Sequence, residues 1–327
     1  MLGLKTWTTG AVVLCVIAAP TVTWADFKPS KTCDLVVHGG PGSGNDLFAR
    51  ALAAMIEQEK LAPVRFNVLN KPGGGSATAS AYLAGKPGDA HTLGIFTNVW
   101  MTDPLVQEAA KVSIHKDLTP IARMVIEPAL VAVRADSPYK TLKDFVQAAT
   151  AKSAQLKQSG GSITSRDNLI RQMIMKQTGA NWSYISFPSG SERLAALLGG
   201  HVDLMVVDPS EGIEQIRSGK LRALAQVADK RLAVLKDVPT LSEAGFNIAK
   251  TPQIRGVVGP PGLPADAVAY YENLLEKVTR SASWRKYVAE NHFEAGFGKS
   301  AETRKFLALY ENDIREQLKE VGAKVVR

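Results

Sequence analysis

Apolar residues recur along the chain in two alternating rhythms. Leu35, Val36 and Val37 stand in a row before a run of glycines, so Thr32 to His38 reads as a short buried strand. Leu47, Phe48, Ala51, Leu52, Met55 and Ile56 follow at helical spacing and predict an amphipathic helix over Asp46 to Lys60. Val64 to Leu69 alternates as a second strand, Ser76 to Ala84 is a helix of small residues, and His91 to Thr97 is a third strand. Further strands are predicted over Ala129 to Ala135, Val202 to Val207, Leu221 to Val227 and Ile254 to Gly259. Helices are predicted over Arg166 to Thr178, Ser191 to Leu198, Asp266 to Ser281 and Ala301 to Val321. Another starts after Thr141, which with Asp144 makes a weak capping box. This rhythm belongs to α/β proteins with mostly parallel sheets flanked by helices.

Three loops leading into helices are built from glycines and hydroxyls, the first two of them following a predicted strand. The first is Gly39-Gly40-Pro41-Gly42-Ser43-Gly44-Asn45-Asp46, the second Asn70-Lys71-Pro72-Gly73-Gly74-Gly75-Ser76, and the third Ser159-Gly160-Gly161-Ser162-Ile163-Thr164-Ser165-Arg166. Glycine lets the backbone approach a ligand, and a helix start offers unpaired amides at a positive dipole end. The same residues also serve as plain helix caps, Ser43 or Asn45 being suited to that. The first loop lacks the Gly-Lys-Ser/Thr ending of a P-loop, and Asn45 stands where a dinucleotide fingerprint has its third glycine. Adjacent parallel strands would bring the first two loops to one sheet edge. A cleft lined by amides and hydroxyls suits a carboxylate. A bulkier side chain at Gly75 is then expected to exclude the anion without disturbing the fold. His38, which ends the first strand, is open to either ligand contact or structural hydrogen bonding.

Composition removes other classes. The 327 residues carry 39 Lys+Arg against 31 Asp+Glu, a net charge of +8, with 45% hydrophobic and 21% charged residues. These are globular values, and the length suits two domains or one large one. The basic residues are scattered and aromatics reach only 7%, so no nucleic-acid surface is indicated. The histidines form no His-x-x-x-His or Glu-x-x-His pair and no Gly-x-Ser-x-Gly elbow occurs, so neither a metal, a cofactor nor a serine nucleophile is expected. Lys5, the apolar stretch Gly10 to Ala19 and Thr23-Trp24-Ala25 read as a secretory signal over residues 1–25, with Asp26 as the mature start. Leu14 before Cys15 argues against a lipid anchor. Cys33 then remains as the mature chain's one cysteine, so no intramolecular disulfide can form.

Several motifs together resemble one family. Pro41-Gly42-Ser43-Gly44-Asn45-Asp46-Leu47-Phe48-Ala49-Arg50 resembles the Pro-Gly-Gly-x-x-Asp-x-x-Ala-Arg motif of the Bug family, the substrate-binding proteins of tripartite tricarboxylate transporters. Asn70 to Gly75, Gly88 to Leu93, Leu197 to Asp203, Ser218 to Ala225, Val238 to Gly245 and Gly259 to Pro264 are similar to later family segments in the same order. The resemblance implies a two-lobed periplasmic binding protein of type II-like Venus flytrap form. Lobe 1 would comprise 26–125 and 250–327, and lobe 2 126–249. It would be a monomer that captures a small organic acid, a di- or tricarboxylate or an aromatic carboxylate, for a large and a small membrane subunit. Two crossings, near Met124 to Ala129 and near Asn247 to Pro252, would let the lobes close on ligand.

The loops and the resemblance give candidate ligand contacts. They are His38, Ser43, Gly44, Asn45, Gly74, Gly75, Ser76 and Asn98 in the first lobe, and Ser162, Thr164, Ser165, Arg166, Ser189 and Asp208 in the second. Some positions depart from the family pattern: His38-Gly39 replaces Pro-Phe, Ala77 replaces Asn, and Arg166 with Asn168 falls near the usual Asp-His. An Arg166 facing the cleft would take a second ligand carboxylate in bidentate fashion; facing solvent, it would be a surface residue. Asp208 would repel an anion unless it pairs with Arg166 or accepts from a ligand hydroxyl. Two other functions remain open: a secreted α/β enzyme acting on a carboxylate with His38 as base, and a sensor subunit presenting its ligand to a membrane receptor kinase.

Overall fold

The computed structural model describes residues 27–151, 155–249 and 251–327; the expected signal segment lies outside the described residues. The strands are β1 (Cys33–Val37), β2 (Phe66–Asn70), β3 (Thr92–Phe96), β4 (Thr119–Glu127), β5 (Ala129–Arg134), β6 (Lys157–Gly160), β7 (Ser183–Ser186), β8 (Leu204–Val207), β9 (Leu221–Val227), β10 (Gln253–Gly259) and β11 (Glu294–Gly298). The helices are α1 (Gly44–Gln58), α2 (Ala77–Ala84), α3 (Val99–Val106), α4 (Leu142–Ala151), α5 (Arg166–Thr178), α6 (Gly190–Leu198), α7 (Pro209–Arg217), α8 (Ala265–Arg280), α9 (Ala282–Asn291) and α10 (Ser300–Glu320).

Two sheets result, one per lobe. The first runs β11-β4-β10-β3-β1-β2 and the second β7-β6-β8-β5-β9. In the first, β1 pairs in parallel with β2 and β3; in the second, β6 pairs in parallel with β7 and β8. These strands lead into α1, α2, α3, α5, α6 and α7. The strands that carry the chain between lobes behave differently. Only Pro128 separates β4 in the first sheet from β5 in the second, and β10 returns the chain after β9. β10 enters antiparallel to both β3 and β4, and β5 enters antiparallel to both β8 and β9. Both sheets are therefore mixed, whereas the βα rhythm alone implied mostly parallel ones.

Strands such as β5 and β8 read as continuous apolar runs because both faces are covered. Leu35 and Val37 of β1 pack with Phe48, Leu52 and Ile56 of α1, while Val36 faces the opposite layer with Leu83 and Trp100. Leu130 and Ala132 of β5 face one layer and Val131 and Val133 the other. Each fully buried Val, Leu, Ile or Phe among them contributes about 1.5–3 kcal/mol relative to exposure. The result is a pair of sheets whose helix-start loops face each other across a cavity.

Candidate functional site

A cavity of about 530 Å³ lies between the two sets of loops. Its wall includes the first residues of four helices, Gly44, Val99, Arg166 and Gly190, together with Gly75 just before α2 and Asp208, the residue before α7. Local chemistry fixes these turns. Ser43 caps α1, its hydroxyl accepting from the Asp46 amide at 3.4 Å. The Asp46 carboxylate accepts from the Gly42 amide at 2.9 Å and from Arg50 Nε at 2.9 Å. Asn70, at the end of β2, donates to Gly39 O and to Asp46 Oδ1, and so joins the first two loops. Gly75 has φ +69°, a conformation that favours glycine, and a Cβ there would lie 2.4 Å from Asp103 Oδ2. A valine at Gly75 would therefore strain the loop and strike Asp103, so the expectation of an undisturbed fold does not hold.

His38 is held as a neutral ring. Its Nδ1 receives Trp100 Nε1 at 3.0 Å and Asn45 Nδ2 at 3.0 Å. An indole N–H only donates, so Nδ1 is the unprotonated nitrogen and the proton resides on Nε2. Burial, aided by the Arg255 charge, pushes the His38 pKa down to about 3. The Asn45 amide is oriented by the same contact, since its Nδ2 also donates to Ile95 O at 3.0 Å. Its Oδ1 is buried with no hydrogen-bond partner.

The remaining walls carry a buried ion network. Arg255 of β10 donates to Glu127 Oε2 at 2.8 Å and to Asp208 Oδ2 at 3.1 Å. Arg166 pairs with Asp208, donates to Glu127 O at 3.1 Å and has Asp167 at 3.8 Å. Arg193 of α6 bridges Asp167 at 2.7 Å and Glu211 at 2.8 Å. Ser210 completes the set by donating to Glu127 Oε1 at 2.5 Å. Arg166 thus faces the cleft wall, but with its guanidinium already engaged, and Asp208 has the pairing that the sequence left open.

The structure sorts the other candidates. His38, Ser43, Gly44, Asn45, Gly75, Ser162, Ser165 and Ser189 line the cavity, as do Arg166 and Asp208. Gly74, Ser76, Asn98 and Thr164 do not, and the polar atoms of the last three hold the frame. Ser76 donates through both N and Oγ to Asp103 Oδ2, at 2.5 and 2.6 Å. Asn98 donates to Pro252 O at 2.8 Å and accepts from the Ile254 amide at 2.8 Å, fastening α3 to β10. Thr164 donates to Asp103 Oδ1 at 2.5 Å across the cleft. Sequence reasoning missed Arg193, Glu211 and Arg255 in the wall, and Asp103 and Glu127 behind it. The signal available was weak: a Glu before Pro128 and an Arg inside an otherwise apolar strand.

The lobes touch at these points. Thr164–Asp103 and Asp208–Arg255 each join one lobe to the other. Glu211 Oε1, from the second lobe, lies where a Cβ on Gly44 of the first would stand 2.9 Å away. Burial holds the Asp103 carboxyl above its ordinary range despite the donors it accepts from Ser76 and Thr164.

Comparison with known proteins agrees with this architecture. The family TctC, described as "Tripartite tricarboxylate transporter family receptor", matches residues 48–322. A protein in the gbd 5' region of Cupriavidus necator is 30% identical over 294 residues, covering 89% of this chain and 88% of its own. BugT of Bordetella pertussis is 23% identical over 314 residues, covering 94% of each chain. Among solved structures, the periplasmic binding protein BugD has a TM-score of 0.83 at 21% identity, covering 90% of this chain and 99% of its own. A Rhodopseudomonas palustris protein with adipate has a TM-score of 0.85 at 23% identity, and MatC of the same organism with bound malate 0.79 at 22%, each with the same coverage. With the family match spanning most of its length, the chain belongs to the TctC family of tripartite tricarboxylate transporter receptors.

Proposed function

We propose that this receptor captures one small organic acid in the cleft and delivers it, as a periplasmic monomer, to a permease with a large and a small membrane subunit. The observation that carries this reading is the cavity of about 530 Å³ walled by helix starts from both lobes. That size suits a small ligand, and free helix-start amides with their positive dipole ends suit a carboxylate. The family membership and the adipate and malate in relatives of the same fold support the ligand class. In this reading, lobe 1 is 26–125 with 250–327 and lobe 2 is 126–249, and residues 1–25 direct export and are removed. The ligand carboxylate meets Ser43, Gly44, Asn45 and Gly75, and the second lobe closes with Ser162, Ser165 and Ser189. His38 contributes its Nε2–H as a donor. Its engaged Nδ1 favours capture over catalysis, because a general base needs a free lone pair.

The test is a melting series over organic acids. A true ligand at about a hundredfold excess over its dissociation constant should add about 2.7 kcal/mol of stability. Recovery of the acid unchanged completes the result. No stabilising acid, or a chemically altered one, would overturn the reading.

A further inference from the structure

The second wall of the cleft has no cation to spare. Arg166, Arg193 and Arg255 face Asp167, Asp208 and Glu211, with Glu127 behind them, so four carboxylates meet three guanidiniums. Arg193 uses one terminal nitrogen on Asp167 and the other on Glu211. Arg166 and Arg255 share Asp208, and both also hold Glu127, through its carbonyl and its carboxylate. A ligand carboxylate arriving here would have to displace a carboxylate of the protein from a buried pair. Negative charge already stands at the helix starts on this side: Asp167 lies in the first turn of α5 and accepts from the Gly161 amide, while Asp208 and Glu211 sit at the start of α7.

Two acceptors are left over beside the donors of the first lobe. Asn45 is 4% exposed and lines the cavity. Both neighbours of its Nδ2, the unprotonated His38 Nδ1 and Ile95 O, can only accept, so the amide cannot be reversed. Its Oδ1 is therefore a buried acceptor lacking a donor. Glu211 gives Oε2 to Arg193, while its Oε1 rests beside Gly44 and Gly190 at the seam between the lobes.

We infer that the ligand has one carboxylate, held by the first-lobe amides, and a second group that donates N–H bonds, either a carboxamide or an ammonium, in place of a second carboxylate. This rests on the receptor reading above and narrows it. A dianion would bring two negative charges to a site with one cation too few. An N–H donor completes Asn45 Oδ1 and is attracted by Glu211.

Matched acids, from propanoate-sized to hexanoate-sized, ending in methyl, carboxylate, carboxamide or ammonium, are titrated calorimetrically into the whole mature protein. The tightest acid should end in carboxamide or ammonium and exceed the carboxylate-ended acid of equal length by at least about tenfold, or ~1.4 kcal/mol. Glu211→Gln, which keeps an oxygen for Arg193, should reduce the affinity of the ammonium acid by about tenfold and leave the carboxamide acid nearly unchanged. A carboxylate-ended or methyl-ended acid binding tightest would overturn this inference and leave the receptor reading standing. Binding of none of these acids would remove the receptor reading and this inference with it.

Discussion

Thr164→Val tests whether the lobes are latched by the contact seen across the cleft. Valine matches threonine in shape, so the change removes the hydroxyl, with its 2.8 Å contact to Ser162 inside the third loop, and leaves the apolar packing in place. That hydroxyl donates to Asp103 Oδ1 at 2.5 Å, and Asp103 is fully buried. A hydrogen bond to a charged partner contributes about 1.5–3 kcal/mol. In an open form, water replaces the partner on both sides, so the loss falls on the closed form. At about 1.4 kcal/mol per tenfold, the closed-to-open ratio should fall roughly 10- to 150-fold. Apparent affinity falls with the population of the closed form, by the same factor if the free protein is mostly open. With ligand at a concentration that just saturates wild type, solution scattering should show a larger radius of gyration for the variant, and calorimetry a weaker ligand. Unchanged compactness together with unchanged affinity would refute the latch.

Three further predictions concern buried ionisable groups. Arg255→Met removes the cation paired with Glu127 and one of the partners of Asp208, so urea denaturation should show a loss of about 3–5 kcal/mol; a loss below about 1 kcal/mol would mean that the network is not a unit. Asp103 has a folded pKa raised above 3.8, so wild type should lose stability relative to Asp103→Asn as pH rises through that folded value. A melting difference that stays flat with pH would contradict its burial as a charge. His38, pushed down to about 3, should show no titration of its ring resonances between about pH 5 and 8, and its neutral form should cost stability as pH falls from 6.5 toward 3. A midpoint near 6.5 would mean that Nδ1 is not held as described.

What the sequence displayed was whatever is local. The run Leu35-Val36-Val37 and the spacing of Leu47 through Ile56 declare a strand and a helix because each pattern lies within a few turns of chain. The glycine loops were visible for the same reason. Short polar strands were not: Lys157–Gly160 and Ser183–Ser186 have four residues each, too few for alternation to register. β4 begins with Thr119-Pro120, which argues against a strand, yet the sheet accepts it because the proline sits at its start. α3 contains Pro104 in its last turn, and a helix reading stops before it. Of the ion network, only the Arg166–Asp208 pair was raised by the sequence, as one alternative. Glu127 and Arg255 are 128 residues apart and meet only because β4 and β10 pair antiparallel. Ser76, Asn98 and Thr164 were in the right loops, but which way a hydroxyl or amide turns is decided by Asp103 and by the backbone of β10, both distant in sequence.

The central claim, that an organic acid is held by closure of the two lobes over the first-lobe helix starts, is tested most directly at Gly44. This residue begins α1 with ordinary helical geometry, so alanine fits the open form. In the closed form its Cβ would stand 2.9 Å from Glu211 Oε1 and 3.1 Å from Arg255 Nη2, wedging the seam. Calorimetric titration of wild type and Gly44→Ala with the tightest acid of the melting series should give one saturable site in wild type. The variant, with its melting temperature in the absence of ligand unchanged, should bind at least about tenfold more weakly. Equal affinity in the two proteins would contradict capture by closure at this site.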